Sequence, residues 1–119
     1  VSENRLDDSI KTLTDIVNLS EIPAVYQELA AFKLALLLKD RGLKTLEERF
    51  EAFENLSVQG SAFRQLAREQ QAIILVEQGK LEMAIKILDE LSEEAGVSEG
   101  LKRRISQLLI VLNSSVKGQ

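Results

Sequence analysis

The sequence predicts an all-α protein, a short α-solenoid of about six antiparallel helices joined as hairpins. A chain of 119 residues with 45% hydrophobic residues is too apolar for disorder, and 6 Gly and one Pro are too few for a sandwich of many strands. Aromatic residues make up only 4%, so the core must consist mainly of Leu, Ile, Val and Ala, which suits closely packed helices. Apolar residues recur at helical spacing along the chain, which supports the same fold class.

Local signals divide the chain into six helical segments. Pro23 suits the first position of a helix, and Gly42 suits the left-handed residue that follows one. Thr45 and Glu48 form a capping-box pattern, and Ser61 and Ser98 are candidate helix caps. The predicted helices span residues 3–18, 23–41, 45–56, 61–78, 80–94 and 98–113.

The helices repeat in pairs. When the sequence is shifted so that Gly42 falls on Gly79, several apolar residues coincide, including Leu29 with Leu66 and Leu38 with Leu75. The shift predicts a two-helix repeat of roughly 35 residues, in the range typical of solenoids. The first and last helices then lack a partner within their own repeat.

The second repeat resembles the tetratricopeptide repeat, in which small and large apolar residues alternate around a glycine turn. The matching residues are Ala72, Leu75, Gly79, Ala84, Leu88 and Leu91. Arg68 and Gln71 depart from the pattern, because they stand at apolar positions. The earlier repeat also departs from it, since its second helix runs about two residues longer before its core residues begin.

Residues 60–67 (GSAFRQLA) and the leucine-rich last helix are most similar to the bacterial family typified by the ancillary subunit of the Sec translocon. The resemblance covers residues 23 to 112. It implies a periplasmic repeat domain behind an N-terminal membrane anchor, with a role in handing secreted proteins to chaperones. These motifs specify helix packing and no active site.

In such repeats the first helices of each pair line a concave surface that binds peptides or helices. Alignment to the repeat therefore predicts an apolar groove for a protein or peptide partner, with sparse charge. Its main residues are Phe32, Leu36, Glu69, Ile73 and Val76, accompanied by Lys39, Gln107 and Val111. The alternative is that the apolar members are simply core residues, because helices this apolar can be buried on all sides.

The closing run of residues 108–112 is apolar on every helical face, whereas a terminal repeat helix normally keeps one polar side. Leu108, Leu109 and Leu112 are therefore candidate dimer contacts, which the apolar stripe of the first helix in a second copy could cover. The alternative is packing within one copy. Self-assembly through the terminal helices is the second function that the sequence predicts.

Composition excludes several other functions. A net charge of −4 argues against nucleic-acid binding, and the three-residue cluster Lys102 to Arg104 is interpreted as a solvated helix face. Without His or Cys the chain can form no nucleophilic triad and no histidine- or cysteine-ligated metal site. The clustered acids alternate with apolar residues, as on solvated helix faces. We expect no enzyme activity and no cofactor.

The sequence predicts one domain over residues 1–113 and a flexible tail over 114–119. No apolar run approaches the roughly 20 residues that span a bilayer. Because the chain begins with Val1, a missing N-terminal anchor is compatible with it. The resemblance implies the cell envelope or periplasm, and the cytoplasm is the alternative.

Overall fold

The structure, a computed structural model, describes residues 3–19, 21–41, 45–58 and 60–117. Within these ranges it contains helices and no strands, which confirms the all-α class. The helices are α1 (Glu3–Val17), α2 (Ala24–Arg41), α3 (Leu46–Glu54), α4 (Arg64–Glu77), α5 (Leu81–Ser92) and α6 (Glu99–Lys117). None of these helices is both long enough and apolar enough to cross a bilayer.

The chain forms two compact units, Val1–Arg64 and Gln65–Gln119. In the first unit α2 packs against both α1 and α3. Ala30 and Ala35 are buried on α2, where small side chains allow a neighbouring helix to approach closely.

An aromatic cluster joins α2, α3 and the segment that precedes α4 in the first unit. The ring of Phe32 meets fully buried Phe53 edge to face, with centroids 5.8 Å apart, and stacks on Phe63 at 5.6 Å. Glu28 of α2 also accepts hydrogen bonds from the Ala62 backbone N–H at 2.9 Å and the Ser61 hydroxyl at 3.3 Å. The segment that follows α3 is therefore held against α2 by both apolar and polar contacts.

The second unit buries aliphatic residues from α4, α5 and α6, and α5 packs against α6. On α5 the buried positions recur at intervals of three or four residues, which places them on one side of the helix, whereas α4 has buried residues on more than one side. The buried apolar residues of this unit are Ala67, Ala72, Ile74, Leu75, Ala84, Leu88, Leu91, Val97, Leu101, Ile105 and Leu112.

Gly79 ends α4 in a left-handed conformation, with φ of 78°. The Lys80 N–H donates to the Leu75 carbonyl at 2.8 Å, and the Gly79 N–H donates to the Val76 carbonyl at 3.0 Å. This pair of bonds is the Schellman motif, which satisfies carbonyls that a helix end leaves free. The predicted glycine turn is therefore present between α4 and α5, whereas the equivalent Gly42 lies outside the described residues.

The predicted caps are largely present. Thr45 and Glu48 exchange side-chain to backbone hydrogen bonds, both of 3.1 Å, so the capping box before α3 is confirmed. The Ser98 hydroxyl accepts from the Leu101 N–H at 3.1 Å and caps α6. The Ser61 hydroxyl instead accepts from the Phe63 N–H, before α4 begins, so it caps the turn that leads into that helix.

The last helix ends later than the sequence predicts. It continues to Lys117, so residues 114–117, which the sequence places in a flexible tail, are helical. The Ser115 hydroxyl bonds back to the Val111 carbonyl at 3.1 Å, and half-buried Val116 extends the apolar side of the helix. Serines and an asparagine at 113–115 suggest a loop, but these residues are tolerated in a helix when their side chains bond to its carbonyls.

Candidate functional site

A depression of about 360 Å³ lies between α4 and α6 of the second unit. Glu69 and Ile73 lie one turn apart on α4, and Arg104, Leu108 and Val111 follow one another at helical spacing on α6. Gln107 completes the lining. The wall is apolar along Ile73, Leu108 and Val111, and its polar groups are Gln107 and the two charged residues.

The two charged residues form a bidentate ion pair. The Arg104 Nε donates to Oε2 of Glu69 at 2.8 Å, and its Nη2 donates to Oε1 at 3.0 Å. Glu69 is only 4% exposed, whereas half of the Arg104 side chain is accessible. Paired donors that face both oxygens of a carboxylate fix the position of each group, which a single lysine contact would not do. The depression therefore has a polar feature of defined geometry.

The ion pair also affects the pKa of Arg104. The hydrogen bond to Glu69 raises the pKa of Arg104, desolvation opposes this rise, and the negative charge of Glu69 adds to it. Arg104 is therefore cationic at neutral pH. The buried carboxylate has its counter-charge in direct contact, which largely offsets the cost of removing it from water.

Polar contacts connect α4 to the rest of its unit. Gln65 Nε2 donates to the Ala95 carbonyl at 3.1 Å, and Arg68 lies 3.7 Å from the Glu90 carboxylate on α5. Fully buried Gln71 accepts a hydrogen bond from Arg68 Nη1 at 3.2 Å. Arg68 and Gln71 are the two departures from the tetratricopeptide pattern, so each departure supplies a hydrogen-bonding partner for the other.

Comparison of the chain with protein-family models, with curated proteins and with solved structures found no match. The resemblance to tetratricopeptide repeats therefore rests on the residues of this chain alone. Gly79 has the left-handed conformation, and the five matching apolar residues are all buried: Ala72, Leu75, Ala84, Leu88 and Leu91.

The structure brings several predicted groove residues together and places others elsewhere. Glu69, Ile73, Gln107 and Val111 line the same depression. Half-buried Val76 lies on the same face of α4 as Glu69 and Ile73, but it does not line the depression. Phe32 and Leu36 belong to the first unit, and the side chain of Lys39 lies outside the described residues. The binding role of all these residues stays a prediction.

Within the first unit, Phe32 forms part of the aromatic cluster, which is the core role that the sequence leaves as an alternative to binding. Leu36 lines a separate depression of about 560 Å³ between α1 and α2, together with Leu13 and Leu37. Its polar rim consists of exposed Asp8, Ser9, Thr12 and Lys33, and among the described residues their side chains have no polar partners. This depression is larger than the one between α4 and α6, but it has no polar group held in a fixed position. It therefore offers less basis for selecting a ligand.

The predicted dimer contacts on α6 are partly covered within one copy. Leu112 is buried, and Leu108 and Leu109 are half-buried. The most exposed apolar residues of the helix are instead Ile110, at 69%, and Val111, at 61%. Successive helical residues point about 100° apart, so Val111 faces the depression while Ile110 points towards solvent.

Sequence reasoning missed Arg104, which it interprets as part of a solvated basic face. The signal that could have identified it is its distance from Glu69, because the two residues are 35 positions apart, close to the repeat length. Residues one repeat apart occupy equivalent places on neighbouring first helices. Opposite charges at that spacing therefore indicate a contact between the helices.

Proposed function

We propose that the chain is a tetratricopeptide-like helical-repeat module that binds a partner protein by holding an apolar segment of it between α4 and α6. The single observation that carries this proposal is the α4–α6 depression, where an apolar wall lies next to a fixed ion pair. An apolar wall with few, well-positioned polar groups is typical of binding sites. The buried positions around Gly79 support the repeat class.

The resemblance to the Sec-associated family extends this proposal to context. We propose a partner that takes part in protein secretion at the bacterial cell envelope. This proposal is supported by the similarity of residues 60–67 and of the leucine-rich last helix to that family. The similarity concerns helix packing and assigns no functional role to any single residue. The apolar character of the depression fits a secreted chain, which exposes apolar segments until it folds.

Replacing Ile73 by aspartate is expected to weaken binding at least tenfold, about 1.4 kcal/mol, because a carboxylate would have to lose water against an apolar segment. Peptides selected from a displayed random library would be labelled, and their dissociation constants measured by fluorescence anisotropy. Ile73 is half-buried, so the thermal midpoint should fall by only a few degrees, roughly what 1 kcal/mol produces in a small domain.

Met83→Asp is the matched control, since Met83 is 54% exposed on α5 and does not line the depression. It should leave the dissociation constants unchanged. If Ile73→Asp melts the unit, Ile73 is a core residue and the assignment of the depression is wrong. Equal binding by the two variants would also refute the proposal.

Self-association through α6 is the second candidate function, and the exposure of Ile110 and Val111 favours it. If α6 mediates a dimer, Ile110→Glu should shift the protein to monomer in sedimentation equilibrium over a range of concentrations, because a charge would be buried at the contact. Lys102→Glu, an exposed charge change elsewhere on α6, is the control. A monomer at all concentrations for the unmodified protein would eliminate this function.

A further inference from the structure

One edge of Arg104 remains available at the rim of the α4–α6 depression. A guanidinium has five N–H donors, and Arg104 uses one on Nε and one on Nη2 to bind Glu69. Among the described residues no other group accepts from Arg104. Both N–H groups on Nη1 and one on Nη2 therefore point away from Glu69, on a side chain that is half exposed.

Gly100 keeps this edge open. It lies one turn before Arg104 on α6, and a Cβ atom placed on it would lie 3.9 Å from Nη1. The guanidinium thus extends back over Gly100, as side chains in a helix generally do towards the preceding turn. Because glycine has no side chain, nothing at this position covers Nη1.

The charges around this edge favour an anion. Glu69 lies behind the guanidinium and is almost fully buried, so an approaching carboxylate contacts Arg104 directly and meets Glu69 only at a greater distance. The exposed Arg103 adds a positive charge on the same helix. Lys102, the third basic residue, lies 3.6 Å from the Glu99 carboxylate and is partly neutralised.

We propose that the α4–α6 depression selects an amphipathic segment in which an Asp or Glu side chain accompanies the apolar residues and binds the outer edge of Arg104. This inference rests on the proposed function and adds the chemistry of the partner. Arg104 and Val111 are seven residues apart, about 10 Å along α6. The acidic residue of a helical ligand should therefore stand about two turns from its outermost apolar anchor.

A displayed library of amphipathic helices tests the inference. Its apolar stripe would be restricted to apolar residues, and the flanking positions on both ends would be fully randomised. We expect the selected peptides to be enriched in Asp or Glu about two turns from an anchor. A synthetic peptide with Glu at that position should bind about tenfold more tightly than its Gln counterpart, and the difference should decrease at high salt.

Gly100→Glu and Gly100→Ala are the matched variants. A glutamate at position 100 stands four residues before Arg104, the favourable arrangement for a helical ion pair, and would occupy the outer edge itself. Both substitutions replace a helical glycine by a better helix former, so the fold should be preserved. We expect Gly100→Glu to remove the preference for acidic peptides and Gly100→Ala, whose Cβ would reach Nη1 only at ordinary contact distance, to retain it.

Each other outcome has a definite meaning. Selection of tight binders without enrichment of Asp or Glu would overturn this inference and leave the proposed function standing. Persistence of the acidic preference in Gly100→Glu would show that the carboxylate binds elsewhere, which also overturns the inference alone. If no selected peptide binds the unmodified protein more tightly than it binds Ile73→Asp, the proposed function and this inference are overturned together.

Discussion

Replacing Ala84 by tryptophan is expected to unfold the second unit. Ala84 is completely buried on α5 and lies one turn before Leu88, which is equally buried. Adding even a few methylene groups to a packed core costs about 1–3 kcal/mol, and an indole is far larger. Because small domains are stable by only about 5–15 kcal/mol, we expect most of the helical signal of this unit to be lost in circular dichroism at 25 °C.

The adjacent substitution Met83→Trp provides the control. Met83 is exposed on the same helix, so a tryptophan there changes the composition equally without entering the core. The two variants should differ widely in their thermal unfolding curves. Similar curves would mean that α5 does not pack through the face that carries Ala84, and the proposal of a tetratricopeptide-like arrangement for this unit would fail.

Replacing Phe53 by alanine should destabilise the first unit by about 3–5 kcal/mol. The ring of Phe53 is fully buried, and its edge-to-face contact with Phe32 contributes about 0.5–1.5 kcal/mol beyond the burial of its area. Urea unfolding followed by circular dichroism would measure the loss. The cavity would also leave Phe32 with only its stacking contact to Phe63.

Phe53→Leu distinguishes loss of volume from loss of the aromatic contact. It keeps most of the apolar volume, so its cost should lie well below that of Phe53→Ala. An exposed aromatic residue, Tyr26, provides a further comparison, and Tyr26→Ala should change stability by no more than about 0.5 kcal/mol. A loss below about 1 kcal/mol for Phe53→Ala would contradict the aromatic cluster as the centre of this unit.

The number and approximate extent of the helices follow from local signals in the sequence. The capping pattern of Thr45 and Glu48 sets the start of α3, and Gly79 sets the end of α4. These signals act within one turn of the helix, so they hold in any tertiary context. The end of α6 is less well predicted, since serines at 114 and 115 are compatible with either a helix or a loop.

The candidate site is only partly predictable. Repeat alignment selects Glu69 and Ile73 on α4 with Gln107 and Val111 on α6, and the structure places these four residues around one depression. The same alignment includes Phe32, whose ring is engaged with two other aromatic rings. Periodicity identifies the apolar face of a helix but does not distinguish a face covered by neighbours from one that is open.

The sequence by itself determined the all-α class, the approximate extent of the helices in the described ranges and the residues that pack around the bend at Gly79, because helix periodicity, capping and turn conformation are local properties. Only the tertiary structure decided that Arg104 binds the buried carboxylate of Glu69, that Gln71 bonds to Arg68, and that α4 and α6 leave a depression between them. These features join residues on different turns or different helices, and their energies depend on burial and orientation that a linear pattern does not contain.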